Sequence, residues 1–234
     1  MSESRCALVS GSSSGIGLSI AQRLLADRWQ VVGMDAAPAA ITHADFVAQQ
    51  VDLTDATATA ILIDALLARI TPAALVHAAG LLRVGRIGGL QAADGELMWR
   101  VHVAAATQIA NAVLPAMQRA GRGRVVLLSS RVSRGAAGRS QYAATKAALA
   151  TLARSWAAEV IADGVTVNVI APAATDTPML TASSRQGTPS KLPPLGRLIR
   201  PDEIAALTAF LLSPEAGAIT GQEIAVCGGS SLHA

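Results

Sequence analysis

The stretch Cys6-Ala-Leu-Val-Ser10-Gly11-Ser-Ser-Ser-Gly15-Ile-Gly17 decides the fold. Its first five residues form a short apolar run that ends in a turn signal, which predicts a buried strand. The glycines follow at once, and a helix with Ile20 and Leu24 on its apolar face comes after them. Strand, glycine loop and helix N-terminus together predict a binding site for a dinucleotide pyrophosphate, because the glycines admit close approach and the helix end offers free N–H groups.

The next strand, predicted over 30–35, ends in Asp35. An acidic side chain at this point can accept hydrogen bonds from ribose hydroxyls and repel a 2′-phosphate. Neither Ser14 nor Ala36, which flank the expected ribose pocket, is basic. These residues predict NAD rather than NADP as the cofactor, and an ordinary surface aspartate is the alternative.

Strand-like and helical segments alternate along the rest of the chain. Further strands are predicted over 44–51, 73–77, 123–130, 164–171 and 221–228, and further helices over 56–70, 91–120, 140–163 and from Pro201. The segment 173–200 is rich in Pro, Thr, Ser and Gly, and we expect a long loop that acts as a lid. The pattern predicts one α/β domain over 1–234: a doubly wound Rossmann fold with a seven-stranded parallel sheet and helices on both faces.

Ser140-Gln-Tyr-Ala-Ala-Thr-Lys146 places Tyr142 and Lys146 four residues apart in a helical segment. The two side chains share one helix face, and a nearby ammonium lowers a tyrosine pKa from about 10. Tyr142 is the only tyrosine, and Lys146 is one of two lysines against seventeen arginines, which argues against a chance pairing. The pair predicts general acid–base chemistry; two ordinary residues on an outer helix face are the alternative.

Composition excludes several other classes of protein. The chain is 51% hydrophobic and 15% charged, which is typical of a compact globular protein. The net charge is +3 with scattered arginines and 3% aromatic residues, so we expect no nucleic-acid partner. No apolar run has the length of a membrane span or a signal peptide, and only two cysteines occur. We expect a cytoplasmic protein without disulfides, membrane contact or metal.

These motifs resemble those of the classical short-chain dehydrogenases/reductases over nearly the whole chain. The matching elements are Ser10–Gly17, Ala78-Ala79-Gly80, Ser129-Ser130, Tyr142-x-x-x-Lys146, Pro172 with Thr175-Asp-Thr-Pro-Met179, and Gly228-Gly229. The resemblance implies an oxidoreductase that binds a nicotinamide dinucleotide. It also implies a homotetramer, or a homodimer, built on the helices around 91–120 and 140–163.

The resemblance assigns roles to individual residues. Tyr142 is the catalytic acid/base, and Lys146 lowers its pKa and holds the nicotinamide ribose. A serine orients the substrate oxygen: the strand register favours Ser130, whereas the family's usual spacing to the tyrosine favours Ser129. Thr177 would contact the nicotinamide carboxamide. The other implied cofactor contacts are Gly11, Ser13, Ser14, Gly15, Ile16, Gly17, Asp35, Asp52, Leu53, Ala78, Ala79, Gly80, Pro172 and Thr175; for Asp52, a plain turn role is the alternative to contacting adenine.

Three positions depart from the family pattern. His102 stands where the family has an asparagine of a proton relay, and we include it among the catalytic candidates because an imidazole can join a relay. A histidine in a helix packing face is the alternative. His77-Ala78 replaces an asparagine pair after the fourth strand, and Ala173 replaces a glycine after the sixth.

A narrower resemblance links the chain to the 2,3-dihydro-2,3-dihydroxybenzoate dehydrogenases. It rests on Leu75–Gly85, Thr175–Met179 and Gly228–Leu232. It implies NAD-dependent oxidation of a secondary alcohol, such as a cyclic diol or hydroxy acid, with an arginine on the carboxylate. The candidate arginines are Arg83, Arg131, Arg134 and Arg139. The alternatives are an NADPH-dependent 3-oxoacyl-thioester reductase and a catalytically weak dinucleotide-binding regulatory protein.

Overall fold

A seven-stranded parallel sheet organises the chain in the computed structural model, which describes residues 5–181 and 191–232. The strands are β1 (Cys6–Ser10), β2 (Gln30–Asp35), β3 (Phe46–Gln50), β4 (Ala74–His77), β5 (Gly123–Leu128), β6 (Val165–Pro172) and β7 (Glu223–Val226). Their order is β3-β2-β1-β4-β5-β6-β7, and each neighbouring pair is parallel. The direction in which successive strands are added to the sheet reverses between β1 and β4. This opens a crevice at the carboxyl ends of these two strands. The doubly wound Rossmann fold is confirmed.

Helices cover both faces of the sheet, so most of the strand residues are buried on both sides. The helices are α1 (Gly15–Ala26), α2 (Ala56–Leu67), α3 (Ala92–Trp99), α4 (Ala105–Arg119), α5 (Ser140–Val160), α6 (Pro178–Thr181) and α7 (Pro201–Leu211). One core lies under α2, α4 and α5 and includes Ile63, Ile109 and Leu149. The other lies under α1 and α7 and includes Leu24 and Ile204. The packing of the two cores fixes the positions of the carboxyl ends of the strands, from which the loops leave the sheet.

The helical region predicted over 91–120 is confirmed over 92–119, but it is not one uniform α-helix. A π-helical turn at Arg100–Ala104 separates α3 from α4. The ring of His77, at the end of β4, donates from Nε2 to the carbonyl of Val101 at 3.1 Å. A donor from outside the helix therefore takes a carbonyl of the turn, which is one of the recognised causes of an irregular helix. π-Turns of this kind occur frequently at functional sites.

Several elements are shorter than predicted. The edge strands β3 and β7 pair on one side only and cover 46–50 and 223–226. Strand β5 ends at Leu128, so Ser129 and Ser130 lie beyond it. Helix α2 ends at Leu67. The segment predicted as a loop over 173–200 contains the short helix α6, and its residues 182–190 lie outside the described part.

Two of the expectations from composition concern disulfides and membrane spans. Cys6 and Cys227 are both free thiols. No helix within 5–181 or 191–232 is long and apolar enough to cross a membrane.

Candidate active site

A cleft of about 380 Å³ opens where β1, β2, β3 and β4 end. Its walls come from the loops after β1, β2, β3, β4 and β6, from the first turn of α1, from α3 and the π-turn, and from α6. The lining residues are Gly11, Ser14, Gly15, Ile16, Gly17, Met34, Asp35, Ala36, Val51, Asp52, Leu53, Thr54, Ala78, Ala79, Gly80, Leu81, Leu97, Val101, Thr177, Pro178 and Met179. The structure therefore brings most of the sequence-predicted cofactor residues together around one space.

Glycines are required on the β1 side of the cleft. Gly11 has φ +70, and a Cβ there would lie 2.7 Å from the backbone of Ala79. A Cβ on Gly17 would lie 2.1 Å from the Gly11 carbonyl oxygen. Ser14 precedes α1 in an extended conformation and makes no side-chain cap to the helix, so the first-turn N–H groups keep their capacity to bind an anion. This loop fits a dinucleotide pyrophosphate.

Asp35 is held rigidly at the end of β2. Its Oδ2 accepts a hydrogen bond from the Ser13 backbone N–H at 2.9 Å, and its Oδ1 accepts one from the Ala37 N–H at 2.9 Å. Each carboxylate oxygen retains a further acceptor site. The carboxylate therefore presents a fixed negative charge and free acceptors to the cleft. Ser13 contributes by orienting Asp35, and it is absent from the lining of the main cleft.

Of four further predicted cofactor residues, Asp52 and Thr177 line the cleft, whereas Thr175 and Pro172 lie outside its lining. Asp52 lines the cleft, but its Oδ1 also accepts hydrogen bonds from the Thr54 N–H and Oγ1 at 2.9 and 2.8 Å, so it forms a turn as well. Thr177 lines the cleft next to the glycine loop, where a Cβ on Gly15 would lie 3.3 Å from its Cγ2. Thr175 is buried and donates its hydroxyl to the Ala173 carbonyl at 3.0 Å. Pro172 is the last residue of β6 and lies outside the lining.

Several residues that line the cleft were not predicted as site residues from the sequence. Leu97, at the end of α3, and Val101, in the π-turn, sit four positions apart and form part of the cleft wall. Met34, Leu81 and Met179 also line it. These are apolar side chains with the spacing of ordinary core residues, and the sequence carries no signal that separates a cleft wall from a core face.

Tyr142 and Lys146 lie on the buried face of α5, beside the loop after β4. The Nζ of Lys146 donates to the Leu128 carbonyl at 2.8 Å and lies 5.8 Å from the centroid of the Tyr142 ring. Burial lowers the pKa of Lys146 to about 7. A Cβ on Gly80 would lie 3.4 Å from this Nζ, so the absent side chain keeps the space beside the ammonium open. A phenol beside a buried ammonium has the arrangement that acid–base chemistry needs.

The two candidate serines have different partners. Ser129 is buried, and its hydroxyl donates to the Lys146 carbonyl at 2.8 Å. Ser130 is partly exposed at the start of a 3-10 turn, where its Oγ accepts from the Val132 N–H at 3.4 Å. In its hydrogen bond with Val132 the Ser130 hydroxyl is the acceptor, so its proton remains available to a substrate oxygen. The geometry favours Ser130 over Ser129.

Apolar side chains surround the phenol, and an arginine lies near it. Leu82, Met98 and Val132 form a small buried cluster with Tyr142. Arg139 is partly buried at the N-terminus of α5. Burial lowers the pKa of Arg139, while Tyr142 opposes that change and Arg131 adds to it. Arg139 and Arg131 therefore lie within electrostatic reach of each other, and Arg139 within reach of the phenol.

His102 is fully buried between the loop after β4 and α5. Its Nε2 lies 3.0 Å from the Leu81 backbone nitrogen, and its Nδ1 lies 2.8 Å from Thr145 Oγ1. Its ring meets the Tyr142 ring edge to face, with 5.6 Å between centroids. Within the described ranges there is no group of three or more His, Cys, Asp or Glu residues that could hold a metal ion.

Comparisons with known proteins agree with this geometry. The model of a family described as enoyl-(acyl carrier protein) reductase matches residues 11–231. The chain is 35% identical to the 2,3-dihydro-2,3-dihydroxybenzoate dehydrogenase of Escherichia coli (strain K12), over 97% of this chain and 96% of that one. It is 33% identical to the 3-oxoacyl-(acyl-carrier-protein) reductase of Salmonella typhimurium, over 97% of each.

Solved structures agree as well. A variant of the actinorhodin polyketide ketoreductase, solved with NADPH, superimposes with a TM-score of 0.89 at 26% identity, over 99% of this chain and 98% of that one. The family match, the relatives, the parallel sheet and the Tyr142–Lys146 pair lead to one conclusion. The chain belongs to the classical short-chain dehydrogenases/reductases, oxidoreductases that bind a nicotinamide dinucleotide and act on alcohols and ketones.

Proposed function

We propose that the protein is an NAD-dependent oxidoreductase that interconverts a secondary alcohol, such as a cyclic diol or a hydroxy acid, and its ketone. The observation that carries the proposal is the position of Lys146 Nζ beside Gly80, a lining residue of the dinucleotide cleft, with the centroid of the Tyr142 ring 5.8 Å from that Nζ. A bound nicotinamide accepts or supplies the hydride. The chain itself must then move one proton and hold the substrate oxygen.

Tyr142 exchanges that proton. During oxidation its phenolate accepts the proton of the alcohol, and during reduction its phenol returns a proton to the carbonyl oxygen. Lys146 stabilises the phenolate with its ammonium and, when the cofactor is bound, donates to the nicotinamide ribose. Ser130 donates to the substrate oxygen and orients it. The apolar side chains around Tyr142 exclude water, which strengthens these interactions.

Asp35 supports NAD over NADP. Its carboxylate is fixed by two backbone N–H groups, so it cannot swing away from a 2′-phosphate without losing both hydrogen bonds. None of the described residues that line the cleft is Lys or Arg. A 2′-phosphate would therefore meet a negative charge and no compensating cation, whereas ribose hydroxyls would find acceptors.

Arg139 supports an acidic substrate. It lies at the N-terminus of α5, three positions before Tyr142, and its guanidinium is within electrostatic reach of the phenol. A carboxylate on a substrate bound at Tyr142 would gain a charge-assisted hydrogen bond there. The similarity to a dehydrogenase that acts on a cyclic dihydrodiol acid is consistent with this choice. The homotetramer and the cytoplasmic location stay predictions.

A 3-oxoacyl-thioester reductase that uses NADPH is the second candidate. Two similarities favour it: the 33% identity to the Salmonella reductase and the likeness to a ketoreductase solved with NADPH. Asp35 argues against it on the grounds of charge. A catalytically weak regulatory protein is the third reading, and the pairing of Tyr142 with Lys146 argues against that one.

Replacing Tyr142 with phenylalanine removes the proton-exchanging hydroxyl and little else. We expect Tyr142→Phe to lower kcat by at least about 100-fold, the usual contribution of a general acid or base. NADH binding, followed by fluorescence titration, should stay within a few-fold of the wild type. Turnover at the wild-type rate in this variant would refute the assignment.

Asp35→Ala should relax the discrimination against NADPH, because it removes the negative charge beside the ribose. The ratio of kcat/KM for NAD to kcat/KM for NADP should fall by roughly 10- to 100-fold, as expected for losing one close charge interaction. Asp45→Ala, which removes an exposed carboxylate elsewhere, is the matched control. An unchanged ratio in Asp35→Ala, or a wild type that prefers NADP, would contradict the proposal.

Arg139→Gln should impair acidic substrates selectively. With 2,3-dihydro-2,3-dihydroxybenzoate as the probe, kcat/KM should fall by about 10- to 100-fold, which corresponds to one charged hydrogen bond. A neutral cyclic diol should be oxidised by the variant and the wild type at equal rates. Arg154→Gln, at an exposed position further along α5, is the control. Equal loss for charged and neutral substrates would contradict a carboxylate site at Arg139.

A further inference from the structure

Two buried histidines are associated with the π-turn at Arg100–Ala104: one contacts the turn, and the other is part of it. His77 is at the end of β4, and His102 is in the turn itself. Their exposed fractions are 1% and 0%. Buried imidazoles must have their ring nitrogens satisfied by fixed partners, so the partners determine which nitrogen of each ring carries the proton.

The hydrogen-bond partners of His102 are compatible with only one neutral tautomer of its ring. The Leu81 backbone N–H points at Nε2 from 3.0 Å, and a backbone N–H can only donate, so Nε2 must be the unprotonated acceptor. The proton of the neutral ring is then on Nδ1 and is donated to Thr145 Oγ1 at 2.8 Å. The Thr145 hydroxyl in turn donates to the Tyr142 carbonyl at 2.8 Å. Every donor in this chain has an acceptor.

The partners of His77 require the opposite tautomer. The Val101 carbonyl lies 3.1 Å from Nε2 and can only accept, so Nε2 carries the proton. Nδ1 then accepts from the Ser10 hydroxyl at 2.9 Å, and Ser10 Oγ accepts from the Ala79 N–H at 3.2 Å. His77 thus connects the ends of β1 and β4 to the π-turn.

Both rings are uncharged for the same physical reasons. Burial and the nearby ammonium of Lys146 lower the pKa of His77 to about 3. Burial, Lys146 and His77 hold the pKa of His102 well below its usual range. A protonated His102 would also direct an Nε2–H at the Leu81 N–H, which replaces a hydrogen bond with a repulsion.

We propose that His77 and His102 are a pair of neutral positioning residues with opposite tautomers, which hold the π-turn and the Leu81 loop against the Tyr142 helix, and that His102 carries no proton in the reaction. The pair sets the position of Val101 and Leu81, both of which line the cleft, and of the backbone of Tyr142 through Thr145. The kinetic part of this inference rests on the proposed function, whereas the tautomers do not.

Nitrogen NMR of the ring-labelled protein tests the tautomers directly. The chain has four histidines, so the spectrum is small, and His77→Asn and His102→Asn variants assign the two buried rings. The nitrogen shifts distinguish the two neutral tautomers from the imidazolium. We expect Nδ1–H for His102 and Nε2–H for His77 throughout pH 6 to 8, a range about the ordinary histidine pKa. A charged His102, or His102 as Nε2–H, would overturn the proposal.

Kinetics separate positioning from proton transfer. An asparagine at 102 can accept from Leu81 and donate to Thr145, whereas a leucine fills space without either hydrogen bond. His102→Leu should lower kcat roughly 10- to 100-fold, the scale of a small misplacement of catalytic groups. His102→Asn should retain kcat within a few-fold and keep the wild-type pH profile. Loss of one ionisation from the profile of His102→Asn would show that the histidine carries a proton.

Thr145 supplies a second pair of variants. Thr145→Ser keeps the hydroxyl between His102 and the Tyr142 carbonyl, and Thr145→Val removes it at nearly equal volume. The valine variant should lose kcat as His102→Leu does, and the serine variant should not; equal kcat in both would overturn the link. If no alcohol is oxidised by the wild type, the proposed function fails while the NMR result still decides the tautomers.

Discussion

The buried ammonium of Lys146 is the constraint on which the rest of the site depends. A cation in a low-dielectric interior is costly unless fixed acceptors or an opposite charge stabilise it. The Leu128 carbonyl, at the carboxyl end of β5, supplies one acceptor at 2.8 Å. The Ser129 hydroxyl fixes the Lys146 backbone, and Gly80 leaves the space beside Nζ open. Two other segments of the chain, the end of β5 and the loop after β4, therefore meet α5 around one charge.

The same constraint explains why the neighbouring groups are neutral. An ionised Tyr142 and a protonated Lys146 stabilise each other, so the charge on each group shifts the pKa of the other. A second cation in this pocket would repel the ammonium of Lys146 and lower its pKa further. The histidines at 77 and 102 avoid this because burial and the ammonium itself hold their pKa values low. Among the described residues, Lys146 and Arg139 are cations that interact with the Tyr142 side chain.

Local patterns in the sequence predicted the fold and much of the cleft. The parallel, doubly wound sheet follows from the alternation of apolar runs and helices, the candidate pyrophosphate loop from the glycine spacing, and the Tyr142–Lys146 pair from an i,i+4 relation; the order of the strands was not predicted. The π-turn could not be predicted, because it depends on His77 reaching a carbonyl 24 residues away. The choice between Ser129 and Ser130 likewise needed a contact between Ser129 and a carbonyl 17 residues further on.

The central claim, that Lys146 makes the phenolate of Tyr142 available, can be measured without a substrate. Tyr142 is the only tyrosine of the chain, so the near-ultraviolet absorbance of phenolate reports on this residue alone. The folded wild type and folded Lys146→Met would be titrated with alkali in the presence of NAD. The account predicts that phenolate forms at lower pH in the wild type than in the variant. Superimposable titration curves, or earlier ionisation in Lys146→Met, would contradict it.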